Sequence, residues 1–441
     1  MSADLHRPAR EVQALEEVGV TAVGRGAAWG IVLLFLLSIF GVALLEPFVE
    51  EVVGDHRQAF ADFRQESLAA LGSLGGERVQ VVNRSLLGAM NRFEDRLEEK
   101  SAVRRWLLPR LQWRLASTIG LGNDQVYVGR GRWLFFRPDV DYVIGRGFLD
   151  PRVQTNRRRG GDAWLPAAEP DPIPALLDLQ RQLQSRQIHL ILLPTPVKPT
   201  VEPGRFSSRT TGADRPIQNL SFEAFLGRLA DQGLDVLDPA PGMVQARLET
   251  GESQYLRTDT HWTPAAVEAT ARELAKRIEI VISTDAPALE SFVRRPVVIE
   301  GLGDIVDMLL LPLEQRWIEP ERVRAQMVMR DDGRVWRAEK DAEILLLGDS
   351  FTNVYSDAAL GWGAGAGLGE QLSYFLQRPV DRLAVNAGGA LHARESLQRV
   401  LAGGDDRLSG KRVLVYQFAT RELAQGDWRR VELADFEPPN R

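Results

Sequence analysis

Residues 343–355 read EILLLGDSFTNVY, a short apolar strand followed by a polar turn and the start of a helix. Strands that are buried on both faces of a parallel sheet read as continuous apolar runs of this kind. Similar runs occur in HLILLP (189–194), RLAVNAGG (382–389) and RVLVYQF (412–418), and a shorter one in DVLD (235–238). Helical stretches separate these runs, which predicts an α/β fold with helices on both faces of a parallel sheet.

Ser350 follows the central apolar run directly. Ligands of open α/β sheets bind beyond the carboxyl ends of the strands, so Ser350 lies where chemistry is expected. Gly348 allows the backbone to turn sharply before it. A serine in this position can also simply cap a helix, so the GDS motif alone leaves both interpretations open.

A second motif, TDTHW at 258–262, contains an acid and a base two residues apart. A serine hydroxyl becomes a nucleophile when an imidazole takes its proton and a carboxylate orients that imidazole. Asp259 and His261 would project to the same side of an extended segment, just before a helix capped by Thr263. His261 alone could be a structural histidine. Together with Ser350, the two residues predict a Ser–His–Asp triad.

Composition excludes several classes of protein. The 441 residues are enough for one large domain with accessory segments, and the net charge of −6 argues against a nucleic-acid surface. There is no cysteine, which removes disulfides and thiolate chemistry, and no metal-binding motif is recognisable. We therefore expect neither a metal nor a cofactor.

The amino-terminal segment predicts a membrane anchor. Residues 26–45 read GAAWGIVLLFLLSIFGVALL, which is long enough to cross a bilayer as a helix. Basic residues precede this run and acidic residues follow it, so the amino terminus should be cytoplasmic. We expect a cytoplasmic tail at 1–25, an anchor at 26–46, a helical stalk at 47–120 and the catalytic domain at 121–441. Packing of the helical region on the catalytic domain is the alternative to a stalk. Within that domain, 285–340 reads as an irregular insertion and the glycine-rich 361–370 as a flexible loop.

Six segments together resemble one known family, the alginate O-acetyltransferase group of SGNH-like proteins. The segments are VGRGRWLFFRPDVDY (128–142), LILLPTPVKPTVEP (190–203), TDTHW (258–262), GLGDIVDML (301–309), LLLGDSF (345–351) and VYQFATREL (415–423). As in that group, the Asp–His motif precedes the serine. The resemblance implies an SGNH-like three-layer α/β/α domain. It also implies a periplasmic enzyme, anchored in the inner membrane, that moves acetyl groups onto a polysaccharide through an acetylated serine.

The resemblance assigns the triad to Asp259, His261 and Ser350, and it implies a multi-span membrane acyltransferase as the acetyl donor. The glycines of VNAGG, Gly388 and Gly389, lie where SGNH proteins place a second oxyanion-binding block, beside the Ser350 amide. Further pocket candidates, each with a structural role as the alternative, are Asn386, Tyr355 and Arg421.

Two other functions stay open at this point. An esterase would use the same triad with water in place of the sugar hydroxyl. A non-catalytic polysaccharide-binding or assembly protein would not need Ser350 at all. Trp133, Trp262 and Trp362 could stack on sugar rings, although tryptophan is more often buried.

Overall fold

The computed structural model describes residues 24, 26, 28–33 and 35–36, and then 102–433 apart from 161–165, 283–290 and 313. The chain divides into two units, residues 1–111 and 112–441. In the first unit, residues 28–33 and 35–36 are helical. No helix within the described residues is both long and apolar enough to cross a membrane. The predicted anchor at 26–46 and stalk at 47–120 lie largely outside those residues.

A five-stranded parallel sheet forms the centre of the second unit. Its strands are β3 (His189–Thr195), β4 (Asp235–Val236), β7 (Ile344–Gly348), β8 (Asp381–Ala384) and β9 (Val413–Ala419), in the order β4-β3-β9-β7-β8. All four pairings between neighbours are parallel. The predicted α/β fold with a parallel sheet is therefore confirmed, and β7 lies between two other strands.

The helices of residues 102–433 include those that connect these strands and cover both faces of the sheet. In chain order they are α1 (Ala102–Ile119), α2 (Arg137–Ile144), α3 (Pro151–Arg158), α4 (Pro172–Gln184), α5 (Lys198–Val201), α6 (Pro203–Phe206), α7 (Phe222–Asp231), α8 (Ala240–Thr250), α9 (Pro264–Val281), α10 (Asp304–Met308), α11 (Ser350–Asn353), α12 (Leu368–Leu376), α13 (Gly389–Ala402) and α14 (Glu422–Gln425). Short 3-10 turns occur at Arg130–Arg132, Ser208–Thr210 and Ala358–Leu360.

Successive residues of the strands belong to two separate cores, because side chains alternate across a sheet. Ile191 and Leu346 pack with buried residues of α9 and α12. Leu192 and Leu347 pack on the opposite face with α4, α7 and α13. The domain therefore has three layers, α/β/α, with apolar burial as its main source of stability.

The predicted irregular insertion at 285–340 is wrong. Strand β5 (Phe292–Gly301) pairs antiparallel with β6 (Glu321–Arg330) over ten residue pairs. Both strands carry mixed apolar and charged residues, as expected for a ribbon with one face toward solvent. Helix α10 lies in the connection between the two strands. Another antiparallel pair, β1 (Val126–Val128) with β2 (Leu134–Phe136), forms a hairpin.

The glycine-rich segment 361–370 also differs from the prediction of a flexible loop. Trp362, Ala366 and Leu368 are buried, and α12 begins at Leu368. Gly361, Gly363 and Gly365 adopt positive φ angles, so the glycines serve a tightly folded turn rather than free motion.

Candidate active site

The turn after β7 holds Ser350 at the carboxyl end of the sheet. A side chain on Gly348 would collide with Thr352 and Gln417, so the close approach there requires glycine. The Asp349 carboxylate accepts hydrogen bonds from the amides of Phe351 (2.9 Å) and Ala419 (3.0 Å). Asp349 thus caps α11 and ties the turn to β9, which leaves Ser350 as the first residue of that short helix.

The acid and the base come from a closed loop rather than from an extended strand. Tyr255 and Trp262 form an antiparallel bridge, and the Leu256 amide donates to the His261 carbonyl (3.1 Å). Asp259 Oδ1 accepts from the backbone amide of His261 (2.9 Å) as well as from its ring. The predicted local support of His261 by Asp259 is present, but the loop produces it through a side-chain-to-backbone turn and not through strand alternation.

Ser350, His261 and Asp259 form a continuous chain of hydrogen bonds. His261 Nδ1 lies 2.6 Å from Asp259 Oδ1, and His261 Nε2 lies 2.9 Å from Ser350 Oγ. Because a carboxylate only accepts, we assign the imidazole proton to Nδ1. Nε2 is then free to accept the serine proton, which is the arrangement of a nucleophile with its base.

The second oxygen of Asp259 is held by two further donors. Oδ2 accepts from the indole nitrogen of Trp362 (2.8 Å) and from the amide of Asp304 (3.0 Å). Burial alone would raise the pKa of Asp259, but the charge and hydrogen bonds of His261, Trp362 and Asp304 outweigh it and lower the pKa to about 2. The carboxylate is therefore ionised and fixed in orientation at neutral pH.

His261 is buried and its pKa is raised. Burial alone would lower the pKa, but the charge of Asp259 and its hydrogen bond favour the protonated ring more strongly. The Phe351 ring packs against the imidazole with centroids 4.7 Å apart. The charge and hydrogen bond of Asp259 thus favour an imidazolium, the form that His261 would take on accepting a proton from Ser350.

Two more carboxylates hold the loop that carries the triad. Glu321 of β6 accepts from the amides of Arg257 and Thr258 (2.9 Å each) and from the Thr258 hydroxyl (2.8 Å). Asp304 accepts from the amide (2.8 Å) and hydroxyl (2.7 Å) of Thr260. The β5–β6 ribbon and its connection thus fasten residues 257–260 from outside the sheet.

Asp259, His261 and Asp304 could in principle hold a metal ion, since one ligand atom of each lies within 4.8 Å of the others. Their hydrogen bonds do not fit this role. Four N–H groups already donate to the two oxygens of Asp259. The Nδ1 atom that faces the carboxylate carries a proton and has no lone pair for a metal. The cluster fits a triad with its supporting residues.

The aromatic candidates of the sequence analysis are buried. The Tyr355 hydroxyl donates to the Trp262 carbonyl (2.8 Å), and the Trp262 indole donates to the Phe351 carbonyl (3.2 Å). Both side chains therefore brace the loop of His261 against α11. Trp362 and Trp133 are also buried, so none of the three tryptophans offers an open ring face to a sugar.

The candidates from VNAGG lie at the carboxyl end of β8, beside β7. Asn386 accepts from the Asn353 side chain (2.8 Å) and donates to Asp357 (3.1 Å), which links it to the end of α11. Gly389 has a φ of 62° and begins α13, where Glu422 accepts from the Ala390 amide (3.1 Å). The Gly388 carbonyl faces the ring of His392. These residues border the turn of Ser350, and no contact with Ser350 itself defines a role for them.

Arg421 follows β9 and pairs with a buried acid. Its Nη1 donates to Asp139 Oδ1 (2.9 Å), and its guanidinium lies 5.8 Å from the centre of the Phe351 ring. Burial would lower the pKa of Arg421, but Asp139, Glu422 and Asp349 outweigh it and keep the group protonated. Arg421 thus places a permanent positive charge behind the ring that packs on His261.

Three residues next to Asp259 were not predicted to support it, although Trp362 was considered for stacking on a sugar. Trp362, Asp304 and Gly303 come from segments 40 or more residues away in sequence, which no local periodicity connects to TDTHW. The motif GLGDIVDML was noticeable for its paired glycines, and this was the available signal for Gly303 and Asp304.

Gly303 provides a first test of the site. A Cβ atom at this position would lie closer than 3.0 Å to the Thr258 carbonyl and the Asp259 nitrogen, both of them backbone atoms. Gly303→Ala should therefore shift Asp259 and lower kcat by about 100-fold, with a loss of about 1–3 kcal/mol in unfolding free energy. Steady-state rates and thermal midpoints measure the two effects.

The matched control for that substitution is Gly227→Ala in α7, where an added Cβ meets nothing within 4 Å. It should leave kcat unchanged. A Gly303→Ala variant with wild-type kcat would contradict the tight support of Asp259 described above.

Comparison with known proteins identifies the family. The family model for the SGNH hydrolase-like domain of acetyltransferase AlgX matches residues 126–420. A probable alginate O-acetylase AlgJ from Pseudomonas aeruginosa is 31% identical over 147 residues, which make up 31% of this chain and 36% of that protein. The corresponding protein from Pseudomonas fluorescens is 28% identical over 157 residues, 36% of this chain and 34% of that protein. The chain thus spans about a third of the length of these relatives.

A solved structure, the O-acetyltransferase domain of Pseudomonas putida AlgJ, has a similar fold. It superposes with a TM-score of 0.50 at 18% identity and covers 71% of this chain and 95% of that domain. At this identity the likeness concerns the fold alone. The family match, however, extends over well more than half of the chain and includes all three triad positions. The predicted resemblance is therefore confirmed, and this protein belongs to the AlgX family of SGNH hydrolase-like acetyltransferase domains.

Proposed function

We propose that this protein transfers acetyl groups to hydroxyls of an extracytoplasmic polysaccharide through an acetylated Ser350. The observation that carries the proposal is the chain of hydrogen bonds from Ser350 Oγ through His261 to Asp259. Family membership supports the acetyl group as the unit transferred, and the names of the alginate O-acetylase relatives suggest a polysaccharide as the acceptor.

In the first step, Ser350 Oγ attacks the carbonyl carbon of the acetyl donor while His261 Nε2 removes the hydroxyl proton. The resulting tetrahedral intermediate collapses when its bond to the donor breaks, and His261 returns the proton to that leaving group. An acetyl ester remains on Ser350. Asp259 stays ionised throughout and stabilises the imidazolium that forms at each transfer.

In the second step, a sugar hydroxyl attacks the ester carbonyl and gives its proton to His261 Nε2. The bond to Ser350 Oγ then breaks, the serine recovers the proton, and the sugar leaves as its acetyl ester. Water in place of the sugar would complete an esterase reaction with the same groups. The two outcomes differ in which acceptor reaches the ester first.

The negative charge on the intermediate requires N–H donors. The Ser350 amide is the first of α11 and makes no hydrogen bond within that helix, so it is available for this purpose. The amides of Gly388 and Gly389 are the candidates for a second donor, because they lie at the carboxyl end of the neighbouring strand β8.

We further propose that residues 26–46 anchor the protein in the bacterial inner membrane with the catalytic domain in the periplasm. This proposal rests on the uncharged run at 26–45 and on the basic residues before it. A domain in the periplasm is separated by the membrane from acetyl donors of the cytoplasm. A multi-span membrane acyltransferase would then supply the acetyl group from across the bilayer.

The test follows the acetyl group from donor to acceptor. The full-length protein is mixed with 4-nitrophenyl acetate, and intact-mass analysis with peptide mapping locates any acetyl adduct. The reaction is repeated with increasing concentrations of alginate-derived oligosaccharides, and acetyl-sugar and free acetate are both measured. We expect an adduct on Ser350 and a rising share of acetyl-sugar as the acceptor concentration rises.

Each other outcome identifies a different function. An adduct on Ser350 that releases only acetate at every acceptor concentration would favour the esterase. A folded protein that forms no adduct and releases no nitrophenol would contradict the proposal and favour a polysaccharide-binding or assembly role.

A further inference from the structure

Lys198 is a buried cation next to the triad that the proposed chemistry does not use. It begins α5 directly after β3, and its side chain is 0% exposed. Its Nζ donates to the carbonyl of Leu134 in β2 (2.7 Å) and, more weakly, to that of Arg257 (3.4 Å). Arg257 lies two residues before Asp259, so Lys198 connects the first hairpin to the loop of the triad.

Five carboxylates interact electrostatically with this ammonium group, namely those of Asp139, Glu202, Asp259, Asp304 and Glu321. An isolated amine in such a place would lose its proton, because burial disfavours the charged form. Burial does lower the pKa of Lys198, to about 8, while the neighbouring carboxylates counteract part of this effect. The amine is therefore mostly protonated at neutral pH, and it makes its two contacts as a donor.

A positive charge at this position faces two neighbouring acids, Asp259 of the triad and Asp304 beside it. The Asp304 amide donates to Asp259 Oδ2, so the two residues are in direct contact in a buried setting. The pKa of Asp304 is raised, first by burial and then by the charge of Asp259. Neighbouring buried carboxylates tend to bind a proton unless a positive charge compensates them. His261 is the cation that most favours the ionised forms of Asp259 and Asp304. Arg421 is paired with Asp139, and Lys198 is a second buried cation that interacts with both Asp259 and Asp304.

We propose that Lys198 is a positioning residue for the proposed reaction, whose buried ammonium group holds the loop of the triad against β2 and adds a positive charge to the surroundings of Asp259 and Asp304. The kinetic test of this inference rests on the proposed function, whereas the spectroscopic test does not depend on it. Lys198 acts through Asp259 and touches neither Ser350 nor His261 among the described contacts.

The kinetic test compares Lys198→Met, which removes charge and donors, with Lys198→Gln, which removes the charge and retains an N–H donor. Without the positive charge of Lys198, the group formed by Asp259, Asp304 and His261 binds a proton more readily, and this holds for any of the three as the site of the proton. The acid limb of kcat/KM should therefore move to higher pH by about 1–3 units in both variants. At pH 7 the rate should fall by about 10- to 100-fold, as for other groups that orient a reactive residue. Lys276→Met, at an exposed lysine of α9, is the matched control and should leave the profile unchanged.

The spectroscopic test uses the wild-type protein and needs no activity. The proton between His261 Nδ1 and Asp259 should give a downfield NMR resonance. The chemical shift of this resonance should change near pH 8, where Lys198 loses its charge. The change should be absent from any variant at Lys198 that folds.

An acid limb at the wild-type pH in folded Lys198→Met and Lys198→Gln would overturn the inference. So would a wild-type resonance without a transition near pH 8, which decides the matter if neither variant folds. A protein with that transition but no acetyl adduct would retain this inference and lose the proposed function.

Discussion

Ser350→Ala is expected to lower the rate of acetyl transfer by about 10⁶-fold, since loss of a triad nucleophile removes the covalent route altogether. The substitution deletes one hydroxyl from a partly buried side chain at the start of α11, and Asp349 still caps that helix. We therefore expect little change in stability. Release of nitrophenol from the acetyl ester, with protein in excess of ester, measures the residual rate.

Ser409→Ala is the matched control, because Ser409 lies in an exposed turn before β9. It should retain the wild-type rate. If Ser350→Ala retained acetyl-sugar formation within ten-fold of the wild type, another group would have to be the nucleophile, and the geometry around Ser350 would need a different explanation.

Asp259→Asn is expected to lower kcat by about 10⁴-fold while the protein stays folded. An amide has nearly the shape of the carboxylate but can present an N–H group to His261 Nδ1. The ring then adopts the tautomer with its proton on Nε2, and that nitrogen can no longer accept the proton of Ser350. The loss is expected in kcat. Steady-state rates at a saturating concentration of the acetyl donor measure it.

The same substitution should also shift the pH profile of activity in a defined direction. Activity requires neutral His261 and is lost as the pH falls through the pKa of that residue. Asp259 raises this pKa against the effect of burial, so its removal should move the acid limb of the residual activity to lower pH. The opposite shift is expected for the Lys198 variants.

The domain offers a second histidine–aspartate pair as the control for Asp259→Asn. His189 Nε2 lies 3.0 Å from Asp235 Oδ2 at the amino-terminal end of the sheet, far along β3 from Ser350. Asp235→Asn should leave kcat unchanged. Equal losses in the two variants would mean that the effect comes from general destabilisation and not from the orientation of His261.

Much of the fold could be predicted because the relevant signals are local. The apolar runs that become β3, β7 and β9 are buried along nearly their whole length, and such short runs between helices are typical of strands in a parallel sheet. The β5–β6 ribbon was missed because Pro296 and the surrounding arginines and valines do not alternate strictly. Its pairing is antiparallel and lies outside the main sheet, where burial on one face allows such a mixed pattern.

The residues of the triad could be predicted from the spacing of Asp259 and His261 before a helix, from the apolar run that ends at Ser350 and from the family resemblance. That they act in catalysis remains a prediction until the substitutions are made. Their supporting residues could not be found in this way. Trp362 and Lys198 reach Asp259 and its loop only after the sheet has brought distant segments together, and each would pass for an ordinary core or turn residue in the sequence.

The attachment of the triad loop to the β5–β6 ribbon through Glu321 has a consequence for how the enzyme fails. The nucleophile directly follows β7 in the middle of the sheet, whereas the loop of the base and its acid is also held by a two-stranded ribbon that lies outside that sheet. Peripheral elements open in smaller cooperative units, at lower free energy, than the centre of a domain. Reversible detachment of the ribbon would thus release Arg257 and Thr258, next to Asp259, in a molecule that is otherwise native. The population with a fully supported Asp259 would then be set by this local equilibrium rather than by global unfolding.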